Sequence, residues 1–106
     1  MEIIVKHHTD GSFVNVAKVE VPDSMTVEAA MNYAFRWTNN IDGSWSQGEF
    51  LNFCDNPDFN ENVTRLCPLP EYGGRKYGVR STSVFDRMEI NGCEWEVASF
   101  GFERVA

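Results

Sequence analysis

The sequence predicts an α+β domain, in which one main helix packs across a mixed or mainly antiparallel sheet of about five strands, with a long aromatic-rich loop between the two halves. Three features predict it. Two short β-segments flank Asn91-Gly92, an apolar stripe with helical spacing runs through residues 26–39, and residues 17–21 alternate apolar and charged side chains.

Residues 3–6 (Ile-Ile-Val-Lys) form a first short strand, and Thr9-Asp10-Gly11-Ser12 a turn, because Asp-Gly supplies the positive φ of a tight hairpin. A second strand covers 13–21. It is apolar on both faces as far as Val16, then places Ala17, Val19 and Val21 inward and Lys18 and Glu20 outward. Pro22 closes it, having no donor for a ladder.

The helix follows at 26–39. Ser24 or Thr26 caps it, and Glu28 in the first turn suits the dipole. Val27, Ala30, Met31, Ala34, Phe35 and Thr38 fall on one stripe that faces the core, while Glu28, Asn32, Arg36 and Asn39 lie on the wet side. Asn39-Asn40 and Asp42-Gly43 end it.

Residues 40–78 mix Asn, Asp, Gly and Pro with Trp45, Phe50, Phe53, Phe59 and several leucines. That composition predicts a folded Ω-type loop closing over a core edge, with a short helix possible at 47–53. Trp37, Trp45, Tyr33, Tyr72 and Tyr77 close that loop or mark a partner surface. Asn56-x-Asp58-x-Asn60 matches the start of a calcium loop. Glu61 and Cys67 then stand where the turn glycine and the bidentate glutamate belong, so it is taken as a polar loop.

In the last third the two-residue Asn91-Gly92 turn fixes the register. Ile90 faces Cys93, Met88 faces Trp95 and Asp86 faces Val97 on the apolar side. Arg87 meets Glu96, and Glu89 meets Glu94, on the other. A bent strand at 99–105 follows, with Gly101 at a bulge or close approach. A small, partly closed barrel plugged by the helix is the alternative architecture.

The chain has 106 residues, enough for a single domain over 1–106 with its own core, and a formal net charge of −7 from 16 acidic and 9 basic residues. Such a surface repels nucleic acid and anionic lipid, and it favours a basic partner protein or simply keeps the chain solvated. Three scattered cysteines form neither a disulfide framework nor a zinc motif, so free buried thiols in a reducing cytoplasm are expected. No signal-like segment and no run near the ~20 apolar residues of a membrane span appears. The two histidines, His7 and His8, are adjacent and point to opposite faces of a strand. No nucleophile pairs with them by spacing. No cofactor or metal and no catalytic activity is expected.

Asp86 is the odd residue, because the register places its carboxylate on the apolar face. It must be paired or hydrogen-bonded there. Arg80, Ser81, Thr82 and Ser83 just upstream are the expected partners, their hydroxyls and amides tying the acid into a turn. The same stretch is locally basic: Arg75, Lys76, Arg80 and Arg87 lie within thirteen positions, beside Gly73-Gly74 and Gly78. A candidate anion or nucleotide site therefore comprises Arg75, Lys76, Arg80, Ser81, Ser83 and Asp86.

The segment Gly78-Val79-Arg80-Ser81-Thr82-Ser83-Val84-Phe85-Asp86, with Ile90-Asn91-Gly92, Trp95-Glu96-Val97 and Ser99-Phe100-Gly101-Phe102-Glu103, resembles the C-terminal signature of small phage- and plasmid-encoded proteins. It is also similar to the YodL-like modules of mobile-element polyvalent proteins. The likeness spans about a quarter of the chain. Phe85 stands where such proteins commonly have a small residue. The resemblance implies a mobile-genetic-element setting, with a host or phage protein as partner and the host cytoplasm as location. It implies no catalytic role for Arg80, Ser83 or Asp86. Together these readings give a non-enzymatic protein-binding accessory protein, with a small-ligand or nucleotide/anion module on the 75–86 loop as the alternative.

Overall fold

The computed structural model describes residues 1–105. Its main sheet is entirely antiparallel and has six strands, in the order β10-β9-β8-β1-β2-β5. These are β1 (Glu2–Thr9), β2 (Ser12–Glu20), β5 (Val63–Arg65), β8 (Arg87–Ile90), β9 (Cys93–Val97) and β10 (Phe102–Arg104). Two ribbons, β3 (Phe50–Leu51) with β4 (Cys54–Asp55) and β6 (Glu71–Tyr72) with β7 (Arg75–Lys76), and one helix, α1 (Val27–Trp37), complete the described elements. The sheet is open, not a barrel, because β10 and β5 stand at opposite ends. The expected strand near Ile3 extends through both histidines, and the irregular middle supplies the additional β5.

β1 lies in the centre and pairs β2 on one side and β8 on the other. Its inner face buries Ile3, Val5 and His7. Register slips by one residue where Val5 faces Ala17 and Lys6 faces Asn15, leaving Val16 as a bulge. The bulge accounts for the change of pattern along β2. Val16 and Ala17 are both buried, and strict alternation begins only after them. The Asn91-Gly92 hairpin has the expected register, with Ile90 on Cys93, Met88 on Trp95 and Arg87 on Glu96. Asn91 and Gly92 both adopt the positive φ (52° and 77°) of a type I′ turn.

Thr26 caps α1 through its Oγ1, which accepts from the Ala29 amide at 3.1 Å. The helix buries Ala30, Met31 and Ala34 against the inner face. There they meet Ile3, Val5, Met88 and Ile90, each contributing roughly 1.5–3 kcal/mol by leaving water. Phe35 packs edge-on against Phe102 of β10, with ring centroids 6.5 Å apart.

The 40–62 loop is closed by two side chains. One Asp58 carboxylate oxygen accepts the consecutive amides of Ile41, Asp42 and Gly43 at 2.8, 3.0 and 2.6 Å. Asn56 accepts from the Ser44 amide and donates to the Ser44 and Gly48 carbonyls. The calcium-loop-like spacing thus serves as a polar staple. No helix forms at 47–53, because Asn52 and Phe53 adopt left-handed φ (50° and 68°) and turn β3 back on β4. That ribbon lies outside the main sheet and leaves Cys54 exposed. Cys67 and Cys93 are half-buried, so the cysteines are free but not deeply buried.

Candidate functional site

Asp86 enters β8 with its side chain on the inner face, as its register requires. Val97 donates to the Asp86 carbonyl at 2.8 Å, and Phe85 donates to Val97 at 2.9 Å. The carboxylate is 1% exposed. The Arg80 fork grips it with Nη1–Oδ2 at 2.7 Å and Nη2–Oδ1 at 2.8 Å. The Ser83 amide donates to Oδ2 and the His8 amide to Oδ1, each at 2.8 Å. Burial pushes its pKa up, but the Arg80 fork and the two amides outweigh that and hold the acid below the usual carboxylate range. In return the carboxylate raises the pKa of Arg80.

The hydroxyls of Ser81 and Thr82 have other duties than the expected knot around the acid. Ser81 Oγ accepts from the Asn40 amide at 2.8 Å. Thr82 Oγ1 bonds His7 Nε2 at 2.9 Å and Thr38 Oγ1 at 2.8 Å. Thr38 gives its single hydroxyl proton to the Ala34 carbonyl at 2.7 Å. It therefore accepts from Thr82, and Thr82 in turn accepts from Nε2–H of a neutral His7. Burial lowers the His7 pKa from 6.5 to about 4, Asp86 opposing that and Arg80 adding to it. Trp45 seals the cluster, donating Nε1–H to the Arg80 carbonyl at 3.0 Å and meeting His7 edge-on at 6.5 Å.

Of the six candidate site residues, Arg80, Ser83 and Asp86 are brought together, Ser83 through its backbone. Ser81 touches the cluster through its carbonyl, which accepts from Arg80 at 3.0 Å. Arg75 and Lys76 lie on a separate exposed ribbon, opposite Tyr72 and Glu71. His7, the His8 amide, Thr38 and Trp45 were not foreseen. The opposite faces of adjacent histidines were the one available signal, since one of them had to enter the core. With four donors on two oxygens, the Asp86 carboxylate is filled from within the chain. The cluster is a clasp joining β1, α1 and the 79–86 segment.

The other face of the sheet has a different character. Across the strands, Glu103, Glu96, Arg87 and Lys6 lie in one row, and Glu94, Glu89, Ile4 and Lys18 in the next. Glu2 and Glu20 form a third pair. Among the described residues this face thus sets six glutamates against Lys6, Lys18 and Arg87. Like charges face each other directly at Glu89/Glu94 and Glu96/Glu103. Lys6 relieves the first pair, lying 4.0 Å from Glu89 and 3.4 Å from Glu94.

At the β10 end two grooves open. One, of about 390 Å³, is lined by Val84, Phe85, Glu96, Phe100 and Glu103. The other, of about 500 Å³, is lined by Val27, Met31, Trp95, Phe100 and Phe102, with Glu28. Phe85 is 66% exposed and holds a φ of +79°, a conformation suited to glycine, and Phe100 is 97% exposed. Among the described residues no helix is long and apolar enough to cross a membrane. No family model matches the chain, and neither a curated protein nor a solved structure is significantly similar to it.

Proposed function

We propose that this chain is a non-catalytic accessory protein of a phage or mobile element that acts by binding a basic protein partner. The observation that carries the reading is the open sheet face, where six glutamates outnumber three cations on a chain of net charge −7. Lys6, Lys18 and Arg87 are each paired with glutamates of the face, and the net negative charge that is left attracts a partner of the other sign and repels phosphate backbones. The mobile-element setting rests on the C-terminal resemblance. In the alternative, an anion site on the 75–86 segment, Arg75 and Lys76 would do the binding, since Arg80 is held by Asp86.

The test immobilises the full chain and its Glu2→Gln/Glu20→Gln/Glu89→Gln variant. A specific protein should be retained at low salt, released at about 0.5 M salt, and bound poorly by the variant. A thermal-shift screen with nucleotides and phosphorylated metabolites should leave the melting temperature unchanged. A rise that disappears in Arg75→Ala/Lys76→Ala would instead transfer the function to the anion site.

A further inference from the structure

We infer that the groove between β5 and the 45–48 segment is a binding site for a small organic carboxylate with a flat apolar body. The site is separate from the glutamate-rich sheet face and from Arg75 and Lys76. The groove has a volume of about 450 Å³, within the range of about 300–1,000 Å³ usual for small-molecule sites. Phe59, Val63 and Leu69 give it apolar walls. The two grooves at the β10 end hold Glu28, Glu96 and Glu103, whereas this one is lined by no acid.

Its polar lining consists largely of donors that the chain leaves unused. Ser46 is 6% exposed, and its Oγ accepts from the Val79 amide at 2.7 Å. The Ser46 hydroxyl proton finds no acceptor among the described residues, and the Gln47 side-chain amide makes no hydrogen bond among them. Lys6, Lys18, Arg36, Arg80 and Arg87 each lie beside a carboxylate. Arg65 has none among the described residues. Its Nη1 donates to the Cys67 carbonyl, which fixes the guanidinium and leaves Nε and Nη2 without a partner. Those two nitrogens form the planar fork that matches the two oxygens of a carboxylate. The remaining lone pairs of such a group suit the Ser46 hydroxyl and the Gln47 amide. A single cation on a chain of net charge −7 favours a monoanion over a phosphate dianion. The apolar walls call for a flat ring system behind the charge.

The test is an NMR titration of the full chain with naphthoate, its neutral amide and naphthyl phosphate. Naphthoate should bind saturably and shift the Ser46 and Gln47 amides and the Arg65 Nε–H most. The neutral amide should bind about tenfold more weakly. Arg65→Gln should lower the affinity for naphthoate by a similar factor while the melting temperature holds, and Arg65→Lys should recover only part of it. Gln47→Leu, on the other wall, should weaken binding as well. Equal binding of the neutral amide would overturn the anion argument, and tighter binding of naphthyl phosphate would overturn the choice of a carboxylate. Shifts centred on Arg75 and Lys76, or indifferent to Arg65→Gln and Gln47→Leu, would overturn the site. So would the lack of a saturable shift with naphthoate at about 10 mM.

Discussion

The Asp86 carboxylate receives the backbone amide of His8 at 2.8 Å, across 78 residues of chain. One hydrogen bond thus ties the end of the central strand to the start of the C-terminal hairpin, and Arg80 closes around it. The segment between Val79 and Asp86 owes its shape to a buried acid.

Removing the Arg80 fork leaves that carboxylate buried with only its two amides. Arg80→Ala is expected to cost about 2–4 kcal/mol in urea denaturation. Arg80→Lys should recover only part of this, because an ammonium lacks the planar pair of donors. A loss under about 0.5 kcal/mol for Arg80→Ala would show that the clasp carries little of the fold.

His7 predicts a response to acid. Its folded pKa of about 4 lies below its ordinary 6.5. The unfolded chain therefore binds a proton that the folded chain refuses as pH falls from 6.5 toward 4. Stability should decline across that window by up to about 3 kcal/mol. Asp86 acts in the same direction lower down, its depressed pKa giving stability that disappears as the carboxylate protonates. His7→Gln keeps a donor for Thr82 and should flatten the pH 4–6.5 limb of a denaturation series while leaving the lower limb.

Phe85 is an aromatic residue in a left-handed conformation with its ring in solvent. Phe85→Gly should raise stability by about 0.5–1 kcal/mol, relief of backbone strain outweighing the greater freedom of the unfolded glycine. Calorimetry should record it as a higher melting temperature than that of the parent chain.

Asp58 holds three consecutive amides and lies 3.3 Å from Arg36. Burial raises its pKa, but the amides of Gly43, Ile41 and Asp42 and the Arg36 charge bring it below the ordinary value. Asp58→Ala should destabilise by about 2–3 kcal/mol. Hydrogen exchange should accelerate first at residues 41–46, well before the central strands.

The sheet and helix were legible because their signals are local. Asn91-Gly92 admits one hairpin register, and Ala30, Met31 and Ala34 recur at helical spacing. The buried position of Asp86 followed from that register alone. Its true partners did not, because the His8 amide and the Thr38–Thr82–His7 chain are contacts between distant segments that leave no spacing in the sequence. The hydroxyls beside Asp86 were the nearest candidates, yet tertiary neighbours claimed those of Ser81 and Thr82. In the 40–62 loop, Asn56 and Asp58 offered a motif whose geometry was right for an inward turn, and three amides of the chain itself lie against the acid. The β3–β4 ribbon was hidden because Phe53 occupies a position where glycine would have announced a turn.

The strand order also governs time. Of the six strands of this sheet β1 leaves a ribosome before the others, and β2 can join it at once, but its other neighbour, β8, begins only at Arg87. Until then Ile3 and Val5 have one flank bare, and the His8 amide has no acid to meet. A nascent chain must therefore carry an unfinished sheet until β8 has been made, and closure comes in a step of high contact order.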